Sequence, residues 1–109
     1  MNAESPPPMQ VSLIDWRPFR RNSLLGFASV RVGALVIRDV TLHSSNGKRW
    51  VGLPAKPRLA SGGEVMKDER GKIVYTPVLE WSRRETADRF SCAVIDEVER
   101  EHPGEASER

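Results

Sequence analysis

The fold is decided by residues 24–53, which read LLGFASVRVGALVIRDVTLHSSNGKRWVGL. This stretch contains three apolar, β-branched runs separated by two turn signals. Gly33-Ala34 suits a two-residue type II′ turn, whose first position needs a positive φ, and Asn46-Gly47 is the strongest short signal for a type I′ hairpin. We therefore predict an antiparallel meander with strands over 24–32, 35–42 and 49–53.

Alternation of side chains gives this meander one apolar face. Val30 and Ile37 share that face across the first turn, but Ile37 and Val40 differ in parity, so a regular strand cannot point both inward. A one-residue bulge at Arg38-Asp39 restores a single apolar face. The opposite face is then predicted to carry Ser29, Arg31, Thr41, His43 and Trp50.

Two further strands and a long loop are predicted outside the meander. Residues 11–16 form a strand that Pro18 ends, and residues 73–81 form an edge strand because Pro77 lacks a backbone donor. The loop covers residues 55–72, is rich in glycine and charged residues, and is long enough to be functional.

The C-terminal region predicts one helix. Ser82 and Glu85 have the spacing of a capping box, and an apolar stripe runs from Ala87 through Phe90 until Pro103-Gly104 ends the helix. The fold class is therefore α+β: a small antiparallel β-sheet meander of about five strands with one C-terminal α-helix. One helix cannot cover both sheet faces, so we expect a second copy of the chain, in a homodimer, to cover the other.

With 109 residues and a mass of 12.3 kDa, the chain is the size of one domain. We place that domain at residues 10–103. Residues 1–9 contain Pro6-Pro7-Pro8 and are expected to form a disordered leader, and residues 104–109 are expected to form a disordered tail.

The composition excludes several functional classes. No apolar run is long enough to span a membrane. The single cysteine, Cys92, cannot form an internal disulfide, which fits a reducing, cytoplasmic compartment. His43, Cys92 and His102 are too widely spaced for a metal cluster, and no phosphate-binding loop or catalytic constellation is present. We therefore expect no enzymatic activity, no metal, no cofactor and no small-molecule substrate.

The charge is unevenly distributed along the chain. The net charge is only +2, but residues 17–58 hold nine Lys or Arg against the single acid Asp39, whereas residues 63–109 hold eight against twelve acids. Such a basic segment suits the phosphate backbone of DNA or RNA. Candidate contacts are Arg20, Arg21, Arg31, Lys48 and Arg49, with Trp50 and Phe27 as candidates for stacking on unpaired bases.

Several motifs, in order, resemble the bacterial stage V sporulation protein G (SpoVG) family. The resemblance covers residues 11–101 and departs from the family where Leu53 and Ala55 replace its usual Met and Ser. The blocks that carry it are Gly26-Phe27-Ala28-Ser29-Val30, Leu35-Val36-Ile37-Arg38-Asp39-Val40, Asn46-Gly47, Trp50-Val51-Gly52-Leu53-Pro54-Ala55-Lys56 and Phe90-Ser91-Cys92-Ala93-Val94-Ile95-Asp96-Glu97.

This resemblance implies a homodimeric regulator that binds DNA and RNA with some site preference. By position it assigns nucleic-acid contacts to Lys56, to Arg58 (because Pro57 replaces the family's arginine) and, more loosely, to Lys67. The alternative is a protein-interaction module linked to cell division and septation, whose sheet face and acidic helix bind a partner without nucleic acid.

Overall fold

A computed structural model describes residues 9–107, so most of the predicted leader and the last two residues of the predicted tail lie outside the described part. Strands β1 to β4 form one antiparallel sheet in chain order, and β5 and β6 form a second sheet of two strands. The α+β class is confirmed. The elements are β1 (Val11–Arg21), β2 (Leu24–Val32), β3 (Leu35–Ser45), β4 (Lys48–Gly52), β5 (Ala55–Pro57), β6 (Tyr75–Pro77) and α1 (Arg84–Glu101).

Both predicted turns of the meander are confirmed. Gly33 has a φ of +61°, as the first position of a type II′ turn requires. Ala34, at the second position, is not among the described residues with positive φ, which also fits this turn type. Asn46 and Gly47 both have positive φ, at +52° and +79°, as a type I′ turn requires. The β3 strand extends three residues beyond the predicted end, to Ser45.

The predicted bulge in the middle strand is also present. Ala28 pairs with Val40 and Val30 pairs with Ile37, so Arg38 and Asp39 together lie opposite one residue of β2. Asp39 accommodates the extra residue with a φ of +58°. As a result the side chains of Val30, Ile37 and Val40 all turn into the core.

The core lies between one face of the four-stranded sheet and α1. Phe90, Val94, Ile95 and Val98 form the buried stripe of the helix. Trp81 packs against this core, with its ring centroid 5.2 Å from that of Phe90. The buried apolar residues of the sheet are Trp16, Leu25, Ala28, Val30, Ile37, Val40 and Leu42.

The predicted end of the first strand at Pro18 is wrong. β1 continues to Arg21, and Pro18 pairs with Gly26. Proline is tolerated here because β1 is an edge strand, where a backbone N–H can face solvent without leaving a ladder acceptor unpaired. The register shifts between Pro18 and Arg21, which is the irregularity that proline and an edge position favour.

The predicted capping box is wrong as well. The helix begins at Arg84 with Arg83 as its N-cap residue, and no side chain caps the helix. Instead of reaching back to the backbone, Glu85 forms an ion pair with the Arg83 guanidinium group. Glu85 therefore lies in the first turn, where the helix dipole favours a negative charge, but it contacts the Arg83 side chain instead of a backbone N–H.

Residues 55–77, which we call the arm, replace the predicted irregular loop and edge strand. Only Tyr75–Pro77 of the predicted strand 73–81 is a strand, and it pairs with β5 rather than with the meander. At the centre of the arm, three residues are joined in a ring by backbone hydrogen bonds. The N–H of Arg58 donates to the carbonyl oxygen of Val74, the N–H of Val74 to that of Met66, and the N–H of Met66 to that of Arg58. The arm is thus a small ordered unit beside the main sheet.

Gly26 provides a test of the packing of β1 on β2. A Cβ atom at this position would lie 2.6 Å from the carbonyl oxygen of Arg17 and 2.6 Å from the Trp16 ring. We expect Gly26→Ala to lower the free energy of unfolding by about 1–3 kcal/mol, as overpacking does. Urea unfolding measures this, with the exposed Ser12→Ala on β1 as the control; an equally stable Gly26→Ala variant contradicts the packing described.

Candidate nucleic-acid interface

The sheet has one face turned away from α1, which we call the open face. Cross-strand pairing fixes its members: Arg17 pairs with Phe27, Phe27 with Thr41, and His43 with Trp50. These positions alternate with the core residues, so their side chains point to the other side of the sheet. The exposed and half-buried side chains of this face include Arg17, Phe19, Phe27, Arg31, Thr41, His43, Lys48 and Trp50.

A fixed ring pair lies on the open face near the edge formed by β4. The rings of His43 and Trp50 are stacked, with centroids 5.2 Å apart and planes within 3° of parallel. Nδ1 of His43 lies 3.0 Å from the Ser23 hydroxyl, and Nε2 lies 3.0 Å from the Thr41 hydroxyl. Both imidazole nitrogens are therefore satisfied, and the imidazole is held as a rigid backing for the indole.

Burial lowers the pKa of His43. The unfolded chain then binds more protons than the folded one near the ordinary imidazole value of 6.5, so the free energy of unfolding falls as pH drops through that value. We expect His43→Gln to lose this part of the pH dependence. Urea unfolding of both proteins at about pH 7.5 and about pH 5.5 measures this dependence. If His43→Gln loses as much free energy of unfolding between the two pH values as the unsubstituted protein does, His43 does not have this role.

A second aromatic group lies further along the open face. The rings of Phe19 and Phe27 have centroids 6.1 Å apart, and the Arg17 guanidinium group lies 5.4 Å from the centroid of Phe27. Arg17 also forms an ion pair with Asp39 and approaches Asp15 to 3.8 Å. Phe27, predicted as a stacking residue, is therefore already covered by a paired arginine.

Six of the predicted phosphate-binding residues are exposed and form no ion pair with any residue in the range 9–107. Lys48 lies at the start of β4, Lys56 lies in β5, and Arg58 follows it directly. Lys67 pairs with Ile73 in the arm. These six residues are Arg21, Arg31, Lys48, Lys56, Arg58 and Lys67.

The remaining two predicted cations, Arg20 and Arg49, bind the segment after the helix. Arg20 donates to the carbonyl oxygens of Ser107, Gly104 and Glu105, at 2.9, 3.5 and 3.2 Å. Arg49 donates to the carbonyl oxygen of Ala106, at 3.3 Å. Ala106 itself is fully buried. The hydrogen bonds of these two guanidinium groups thus hold residues 104–107 against the sheet.

Sequence reasoning missed both the role of Arg17 and the attachment of residues 104–107. Their partners are distant along the chain, and no local pattern marks them. No helix within residues 9–107 is long and apolar enough to cross a membrane. No group of three or more His, Cys, Asp or Glu residues in the same range could hold a metal ion.

Comparisons of the chain with protein-family models, with curated proteins and with solved structures found no match.

Proposed function

We propose that this protein is a cytoplasmic, homodimeric regulator that binds DNA or RNA, of the type the SpoVG resemblance implies. In this proposal it has no enzymatic activity and needs no cofactor. The basic surface of β4 and the arm contacts phosphates, and aromatic residues of the open face add stacking. Phosphate contacts position such a protein on its target, whereas contacts to base edges specify the sequence.

One observation carries the proposal. Lys48, Lys56 and Arg58 are exposed, lie in two consecutive strands or directly after them, and form no ion pair within the described chain. No acidic residue occurs between Asp39 and Glu64, so nothing in that stretch neutralises them. Exposed, unpaired cations suit a phosphate backbone, because each phosphate contact releases a bound counterion.

The test is the affinity of the full chain for labelled DNA and RNA, single-stranded and duplex, measured by fluorescence anisotropy over a range of salt concentrations. The proposal predicts tight binding at low salt and a linear fall of log affinity with log salt concentration. If no nucleic acid binds at low salt, the proposal is wrong.

The arm carries an apolar surface that suits the homodimer of this proposal. Cross-strand pairing puts Leu59, Val65, Ile73 and Tyr75 on one side of the arm, where between 41% and 59% of each residue is exposed. Contiguous exposed apolar surface marks interaction sites. We assign this surface to a second copy of the chain, and sedimentation of the purified protein tests the assignment; a strict monomer contradicts it.

The wider alternative is a protein partner in place of nucleic acid, with the septation link that the resemblance allows. Size-exclusion chromatography of cell-extract complexes before and after nuclease treatment separates the two functions. Complexes that nuclease dissolves favour the nucleic-acid regulator, whereas complexes that survive favour the interaction module.

A further inference from the structure

Trp50 is an exposed aromatic residue with a ring stacked on one side of it. It lies in β4, an edge strand of the sheet, and its inner side is stacked on His43. The residue is nevertheless 41% exposed, because no strand lies beyond β4 in this sheet. An exposed indole with a rigid ring behind it is a preformed stacking surface: little side-chain freedom remains to be lost when a second ring is added.

A cation stands beside this indole. Lys48 precedes Trp50 by two residues in the same strand, so its side chain emerges on the same face about 6.6 Å away along the backbone. It is exposed and has no ion pair among residues 9–107. A ring surface next to an unpaired ammonium group matches the two chemical parts of a nucleotide, the base and its phosphate.

The surroundings favour a nucleic-acid strand over a second copy of the chain. A two-fold interface centred on the ring pair would bring the exposed Lys48 of both copies into one contact, which adds like charge to it. Ser23 and Thr41, which hydrogen-bond His43, add two hydroxyls beside the ring pair, and Leu24 lies opposite His43 on β2. The arm exposes more aliphatic surface for self-association, at Leu59, Val65 and Ile73, beside the single cation Lys67.

We propose that the open face binds an unpaired nucleotide, with its base stacked on the Trp50 indole and its phosphate at Lys48. The inference rests on the proposed function and narrows it to single-stranded or locally unpaired targets. A duplex cannot use this site fully, because its bases are already stacked on each other, whereas every unpaired base offers a free ring face.

The experiment compares the full chain with its Trp50→Leu and Trp50→Phe variants. The probes are an oligothymidylate of about 12 nucleotides and a mixed-sequence duplex of the same length. We expect Trp50→Leu to weaken binding of the single strand by about tenfold and to leave duplex binding within about twofold, while Trp50→Phe retains most of the affinity. Leu35→Ala is the control, because Leu35 is 53% exposed beside the β2–β3 turn and pairs with Val32 on the opposite face of the sheet, so it should not change single-strand binding.

The outcomes separate this inference from the function it rests on. If the unsubstituted protein binds neither probe, both proposals fail. If it binds but Trp50→Leu affects both probes equally or neither, only the stacking site is wrong. If Trp50→Leu converts a dimer into a monomer in sedimentation, the open face is an interface between copies, which also overturns the stacking site. Unfolding curves verify that each variant is folded.

Discussion

Replacing Lys56 and Arg58 together by alanine weakens nucleic-acid binding and flattens its salt dependence. Both side chains are exposed and form no ion pair within residues 9–107. Each phosphate contact contributes close to one unit to the slope of log affinity against log salt, so the slope should fall by about two units. At about 0.15 M salt this corresponds to roughly 30-fold weaker binding, if binding at 1 M is unchanged.

A second double variant controls for net charge. Arg83→Ala/Arg84→Ala removes the same two charges at the start of α1, where the arginines already face Glu85 and Asp88. Its salt slope should stay within about half a unit of the unsubstituted protein. Equal losses in the two double variants would mean that overall charge, rather than the surface of β5, determines binding. Neither pair is buried, so stability should change by less than about 0.5 kcal/mol per site.

Phe90→Ala is expected to have the largest effect on stability. Phe90 is 1% exposed, lies in the buried stripe of α1 and contacts the ring of Trp81. Truncating such a side chain costs about 3–5 kcal/mol, from lost burial and the cavity left behind. Since small domains are stabilised by only about 5–15 kcal/mol, the variant should be close to unfolding. Urea unfolding followed by circular dichroism measures the loss.

Two further variants make this result specific. Phe19→Ala removes an equally large ring that is 51% exposed, so it should cost much less than Phe90→Ala. Phe90→Leu keeps most of the buried volume and should fall between the two. If Phe90→Ala and Phe19→Ala unfold at the same urea concentration, α1 does not cover the sheet as described.

The meander was predictable because its determinants are local. The turns at Gly33 and at Asn46-Gly47 need positive φ, which these residues adopt at low cost. The bulge at Arg38-Asp39 follows from the parity of the buried residues alone. The turn residues and the alternation of the buried residues can each be recognised within about ten residues of sequence, so no knowledge of the tertiary structure was needed.

The errors come from features that depend on distant parts of the chain. Pro18 would end a central strand, but β1 is an edge strand, and strand order is not a local property. The arm depends on backbone hydrogen bonds among Arg58, Met66 and Val74. These residues are distant from one another along the chain, and the sequence around Arg58 and Met66 does not show the alternation that predicts a strand. Ser82 has the right spacing for a capping box, but the helix begins two residues later.

The same limit applies to the candidate site. The distribution of charge along the chain predicted Arg20 and Arg49 as phosphate contacts, together with the exposed cations. Only the structure shows that their guanidinium groups hydrogen-bond to residues 104–107. Alternation placed His43 and Trp50 on one face, but the stack itself depends on side-chain geometry. Sequence thus identified the basic surface, and structure determined which of its cations remain unpaired.

The most direct test of a nucleic-acid interface on the open face and the adjoining basic strands is ultraviolet crosslinking of the full chain to oligothymidylate, followed by peptide mass spectrometry. Aromatic side chains stacked on bases are well placed to react. We predict crosslinks at Trp50 and within residues 48–58, lost when salt is raised or unlabelled oligothymidylate competes. Crosslinks confined to α1, or none at low salt, would contradict the account.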